Sequence, residues 1–143
     1  MKVMQILKLK GSTKVETITA EASVADAITQ LSHKRIGALV VLEGEGRIAG
    51  ILSERDVVRT LGSEGAGVLK KPVSAIMTTK VTSCAPEDEA ITVMERMTEG
   101  RFRHMPVLVR GQLAGLLSIG DVVKARIGEL DAENEAMQHM LSG

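Results

Sequence analysis

The stretch Arg47-Ile48-Ala49-Gly50-Ile51-Leu52-Ser53-Glu54-Arg55-Asp56-Val57-Val58 returns as Gln112-Leu113-Ala114-Gly115-Leu116-Leu117-Ser118-Ile119-Gly120-Asp121-Val122-Val123. Counted from Ala49 and Ala114, seven of ten positions are identical, at an offset of 65. A duplicated segment demands two copies of one structural unit, so it restricts the fold before any local propensity is weighed. Upstream, residues 15–42 align with residues 81–108 at an offset of 66, which makes the second hairpin one residue shorter. Val3-Met4-Gln5-Ile6-Leu7 likewise resembles Val73-Ser74-Ala75-Ile76-Met77. Each copy covers roughly sixty residues, too many for a solenoid repeat and suited to half of a small domain.

At 143 residues, a compact chain buries roughly 70% of its unfolded surface, and the two copies are expected to share one core. A 44% apolar and 25% charged composition is globular, and every apolar run is too short to cross a membrane. The formal net charge is zero, and Lys70-Lys71 is too small a basic cluster to hold nucleic acid. Neither nucleic acid nor membrane is expected as a partner. The single cysteine, Cys84, excludes an internal disulfide, and the start of the chain lacks a signal-peptide pattern; both suit the cytoplasm. Eight Met against one Phe, with no Trp or Tyr, predict an aliphatic, thioether-filled core.

Within each copy the periodicity changes in the same order. Apolar residues at 24, 27, 28 and 31, behind Ser23, have helical spacing, and Ala90, Val93, Met94 and Met97 repeat it. Ala38-Leu39-Val40-Val41-Leu42 is a continuous apolar run suited to a strand covered on both faces. Turn residues follow at 43–46 and 110–111, then returning strands at 47–52 and 112–117, then a second helix from Ser53 and from Ser118. With a short opening strand near residues 15–18 and 81–84, each copy reads β-α-β-β-α. The fold class is α+β, layered, with two such repeats related by a pseudo-two-fold axis. The expected divisions are an N-terminal segment at 1–14, a first repeat at 15–62, a linker and start of the second repeat at 63–80, a second repeat at 81–128, and a helical tail at 129–143. Within the linker, residues 62–67 read as a flexible glycine-rich loop.

A β-α-β-β-α unit ending in Gly-hydrophobic-x-Ser-x-x-Asp-hydrophobic-hydrophobic, present twice, resembles the cystathionine β-synthase (CBS) domain pair, or Bateman module. Arg103-His104-Met105-Pro106-Val107 is similar to that family's middle strand, and Pro72-Val73-Ser74-Ala75-Ile76-Met77-Thr78 to its inter-repeat linker. The resemblance implies a regulatory, non-catalytic module that binds adenosine-containing ligands between the repeats: AMP, ADP or ATP, and in some members NAD-type dinucleotides or S-adenosylmethionine. No resident cofactor is implied. The family's pockets are composites, which pairs Ser53 and Asp56 with Phe102, Arg103 and His104, and Ser118 and Asp121 with Ile36, Gly37 and Ala38. Pairs of this family commonly form homodimers through their helices, here through Val57-Val58, Leu61 and Val122-Val123, and a further protein senses the change. A chaperone-like interaction protein with vestigial nucleotide pockets is the alternative.

The residue types suit that chemistry. An aspartate one turn into a helix can accept from both hydroxyls of a ribose. A serine at the helix start, beside free backbone N–H groups, offers a phosphate site at the positive end of the dipole. Ser-x-x-Asp is also an ordinary helix cap, and the two roles are compatible. On the ribose reading, Asp56→Ala and Asp121→Ala are expected to weaken ligand binding without melting the fold. Adenine could lie against Ile51, Leu116 or Ile36. Arg103-His104 is matched by Gly37-Ala38 in the first repeat, so the Ser53/Asp56 pocket is expected to prefer the more charged phosphate chain and the Ser118/Asp121 pocket to rely on backbone contacts. The glycines at 44, 46 and 50 miss the dinucleotide fingerprint spacing and fall in a hairpin. His33, His104 and His139 lack metal-ligand spacing, Cys84 reads as a small core residue, and no catalytic centre can be assembled.

Overall fold

Ser23 ends an extended stretch and its hydroxyl accepts from the Asp26 N–H at 3.1 Å, the cap that lets the apolar positions behind it wind into a helix. In the computed structural model, which describes residues 1–11 and 14–142, that helix is α2. The order is α1 (Val3–Lys10), β1 (Thr17–Thr19), α2 (Val24–Lys34), β2 (Ala38–Glu43), β3 (Arg47–Ser53), α3 (Glu54–Glu64), α4 (Ala90–Gly100), β4 (His104–Val109), β5 (Gln112–Ser118) and α5 (Ile119–Ser142). The chain divides into two compact units, Val15–Val81 and a second made of Met1–Lys14 with Thr82–Gly143.

In the Val15–Val81 unit, β1 runs parallel to β2 and β2 antiparallel to β3, with Ala38 opposite Ser53. The four residues Ala38, Leu39, Val40 and Val41 are all buried, so the strand is covered on both faces. Leu39, Val41 and Leu52 pack with Val24, Ala27 and Leu31 of α2 and Val57 of α3. The stretch expected as a flexible loop is largely helical. α3 continues through Gly62 and Ser63 to Glu64, Gly65 ends it at φ 81°, and Ala66–Lys70 forms a 3₁₀ turn. Burial of Val68 in the core holds that turn in place.

The second unit repeats the hairpin register. His104 lies opposite Ser118, and the pairing slips between Val107 and Leu108 as it does between Val41 and Leu42. In both copies the alanine of the repeated motif, Ala49 or Ala114, is the residue left over at the bulge. Arg110 (φ 53°) and Gly111 (φ 77°) make a two-residue turn with both central residues left-handed, where the first copy needs three residues. The opening strand expected at 81–84 reduces to a single parallel bridge between Cys84 and Val107. The chain turns immediately afterwards at Pro86, with the Asp88 carboxylate accepting from the Ala85 N–H at 2.9 Å.

The N-terminal similarity is realised in packing and not in backbone form. Val3–Lys10 is a two-turn helix and Val73–Ala75 only a 3₁₀ turn, yet Val3 and Ile6 enter one core as Val73 and Ile76 enter the other. Each unit has a buried apolar cluster of its own, Val3, Ile6, Met97, Met105 and Leu117 among its members in the one and Val24, Leu39, Leu52, Val68 and Val73 in the other. Val57 and Val122 belong to these cores and Leu61 packs against the first, leaving Val58 and Val123 as the exposed members of the face expected to dimerise. Beyond Ala125, α5 carries Ile127, Leu130, Met137, Met140 and Leu141 exposed. Among the described residues no helix is long and apolar enough to cross a membrane.

Candidate functional site at the two Ser-x-x-Asp corners

β3 delivers Ser53 in an extended conformation to the start of α3, and the corner closes as a reciprocal capping box. The Asp56 N–H donates to Ser53 Oγ at 3.2 Å, and Asp56 Oδ2 accepts from the Ser53 N–H at 3.0 Å and from its hydroxyl at 3.1 Å. Arg59 Nη2 reaches Oδ1 at 2.9 Å, and the Thr78 hydroxyl lies 3.4 Å and 3.5 Å from the two oxygens. Asp56 is 4% exposed. Both oxygens are therefore occupied within the unit, and the residue is structural whatever else it does. The corner is also tied to the loop before β2, since the Glu54 N–H donates to the Gly37 carbonyl at 2.9 Å.

Gly50, two residues before Leu52, is required by close approach. A Cβ there would stand 2.5 Å from the Thr78 carbonyl oxygen and 2.9 Å from Met77 Sδ. That carbonyl is fixed by the Ile51 N–H at 2.9 Å, and the Thr78 N–H returns a bond to Ile51.

The second corner has the same box and a different partner. The Asp121 N–H donates to Ser118 Oγ at 3.1 Å and Asp121 Oδ2 accepts from the Ser118 N–H at 2.8 Å. Lys10, from the last turn of α1, places Nζ 2.9 Å from the same Oδ2 and 2.9 Å from the Leu116 carbonyl. Burial works to raise the Asp121 carboxyl, but the Ser118 N–H and the Lys10 ammonium outweigh it and hold it below the ordinary carboxylate value. Here Leu7 covers the glycine: a Cβ on Gly115 would fall 2.8 Å from Leu7 Cδ2. The Ile119 N–H donates to the Arg103 carbonyl at 2.8 Å, as Glu54 does to Gly37.

Within each repeat, then, Gly37 and Ala38 stand at Ser53, and Arg103 and His104 stand at Ser118. Arg103 is exposed and His104 half-buried. Ile36 packs against its own core, and so does Phe102, whose ring fills the space a side chain on Gly100 would need. Ile51 is buried and Leu116 half-buried. Burial pushes the Cys84 thiol up to about 11, with Asp88 adding to the shift, so it is no nucleophile at neutral pH. Sequence reasoning missed Lys10, Arg59 and Thr78. The alignment of Leu7 with Met77 pointed at the segments holding Lys10 and Thr78; nothing in it marked which side chain turns to the aspartate.

Comparison with known proteins matches this arrangement. A family model, CBS domain, matches residues 8–63 and again 73–128. A CBS domain-containing mitochondrial protein of Arabidopsis thaliana is 32% identical over 99% of this chain and 72% of its own length. A crystal structure of a CBS-domain containing protein from Agrobacterium tumefaciens superposes with a TM-score of 0.84 at 42% identity, covering 87% of this chain and 92% of that one. At 23% identity and a TM-score of 0.75, a CBS domain protein from Pyrobaculum aerophilum, complexed with AMP, shares the fold over 85% of this chain and 89% of its own. With the motif, the hairpin register and the family model all present twice, the chain belongs to the CBS domain family.

Proposed function

We propose that the chain is a regulatory module that binds an adenosine-containing ligand, an adenine nucleotide foremost, at its Ser-x-x-Asp corners, and does no catalysis of its own. The observation that carries this is the second corner. A half-buried carboxylate, a capping serine with its N–H groups, and a strand-edge carbonyl lie together at the start of α5, the groups that a ribose, a phosphate and a base edge require. The relative from Pyrobaculum aerophilum was solved with AMP, which supports the ligand class. The pairing of Ser53 and Asp56 with Phe102, Arg103 and His104, and of Ser118 and Asp121 with Ile36, Gly37 and Ala38, is part of the proposal, as are a cytoplasmic setting and a protein target that senses the bound state.

Calorimetric titration of the full chain with AMP, ATP, NAD and S-adenosylmethionine tests the reading. Binding by at least one of them, weakened about tenfold or more in Asp121→Ala, supports it; no heat and no thermal shift with any of the four overturns it. The second reading, an interaction protein with vestigial pockets, is favoured by one observation: Asp56 is already fully engaged inside its own unit.

The partner for self-association is a second copy. Val123, Ile127, Leu130, Asn134, Met137 and Leu141 recur at alternating spacings of four and three along α5 and are all exposed, the pattern of a coiled-coil seam. Asn134 is the one polar residue in that series, and a single asparagine at an inner position costs some stability while fixing register and a two-stranded state. Arg126 and Asp131 flank the seam five residues apart, the separation that sets opposite charges against each other in a parallel pair. Sedimentation should show a dimer that Leu130→Glu with Met137→Glu converts to monomer; a monomeric parent chain overturns the pairing.

A further inference from the structure

We propose that the end of α1 is an internal latch on the second corner: Lys10 holds the Asp121 carboxylate and the Leu116 carbonyl, and an adenosine ligand must release it to bind. The inference rests on the functional reading above and concerns its regulation.

Lys10 Nζ bridges the last strand of the repeat and the first turn of α5, 2.9 Å from each acceptor. It shares Oδ2 with the Ser118 N–H, so this part-exposed ammonium occupies the carboxylate oxygen that also closes the cap. A ribose hydroxyl is a donor looking for the same oxygen, and an ammonium bonded there opposes it directly.

The helix is built to let go at this end alone. Its start is held by backbone bonds: the Val3 N–H to the Asp88 carbonyl at 2.9 Å, the Met4 N–H to the Pro86 carbonyl at 3.0 Å, and the Ala90 N–H to the Met1 carbonyl at 2.8 Å. Val3 and Ile6 are in the core. After Leu7 the ties are side-chain contacts, Leu9 is 72% exposed, and Gly11 ends the helix in the left-handed region at φ 75°. Opening the last turn therefore gives up Lys10 while the first turn stays docked.

The first repeat lacks this device. Lys80 stands at the position matching Lys10, but the helical turn there stops at Ala75, and Asp56 takes Arg59 from its own helix and the Thr78 hydroxyl. Only one corner is gated.

The test is the affinity of the full chain for adenosine, which has the ribose and base but no phosphate that could recruit the lysine. Lys10→Met should bind about three- to fivefold tighter than the parent, the worth of a part-exposed ion pair, and Lys10→Arg should match the parent. Amide exchange at residues 8–11 should accelerate on adenosine binding while residues 3–6 stay protected. Equal or weaker binding by Lys10→Met, or unchanged exchange at 8–11, overturns the latch and leaves the ligand reading intact. No adenosine binding by the parent with binding by Lys10→Met supports the latch in its tightest form. No binding of adenosine or of any ligand titrated above, by either protein, overturns latch and ligand reading together.

Discussion

The two copies of one motif solve the same electrostatic problem with different partners. Asp56 and Asp121 each cap a helix through the backbone N–H of the motif serine, and each carboxylate takes a further cationic partner. Asp56 finds its partners in its own helix and in the segment that follows it, through Arg59 and Thr78. Asp121 finds its cation in a lysine that lies over a hundred residues away along the chain, on α1. The same Ser-x-x-Asp motif thus yields one corner closed by Arg59 and Thr78 and one held by a lysine from α1. Duplication preserves the box and leaves the occupant free to diverge.

The glycines should separate the copies most widely. Gly50→Ala drives a Cβ into the Thr78 carbonyl, which the Ile51 N–H holds in place, and overpacking against fixed backbone should lower the unfolding free energy by about 2–3 kcal/mol. Gly115→Ala meets only the far end of Leu7, which can turn aside, at about 1 kcal/mol or less. Urea unfolding of the two variants reads the difference, and equal losses would show that the motif glycine answers to something common to both copies.

The aspartates come next. Asp56→Ala strips the cap, the Arg59 pair and the Thr78 contact from a buried site, an expected loss of about 2 kcal/mol. Asp121→Ala gives up its cap and one part-exposed ion pair, about 1 kcal/mol. Thermal unfolding with the order reversed would mean that Lys10 ties its corner harder than Arg59 and Thr78 tie theirs. The affinity changes predicted for Lys10→Met are the smallest of the set, and they alone ask whether the difference is used.

Much of this molecule is legible along the chain because its signals are local. Hydrophobic spacing of 3.6 behind Ser23 and Ser53, the unbroken run at 38–42 and the turn residues at 110–111 specify helix, buried strand and hairpin through interactions only a few residues in reach. The seven repeated positions also place both Ser-x-x-Asp pairs at helix starts, where their box forms in each unit.

Other features needed the assembled fold. The glycine-rich stretch after Leu61 winds into helix because Val68 anchors it in a core, a contact with no signature in local composition. The second opening strand fails for want of length before Pro86. Above all, the partner of Asp121 is a residue 111 positions upstream. Which lysine meets which carboxylate depends on how α1 packs beside β5, through Val3, Ile6 and Leu7. Such long-range pairing is decided by the burial of those apolar side chains and not by any preference of Lys10 itself.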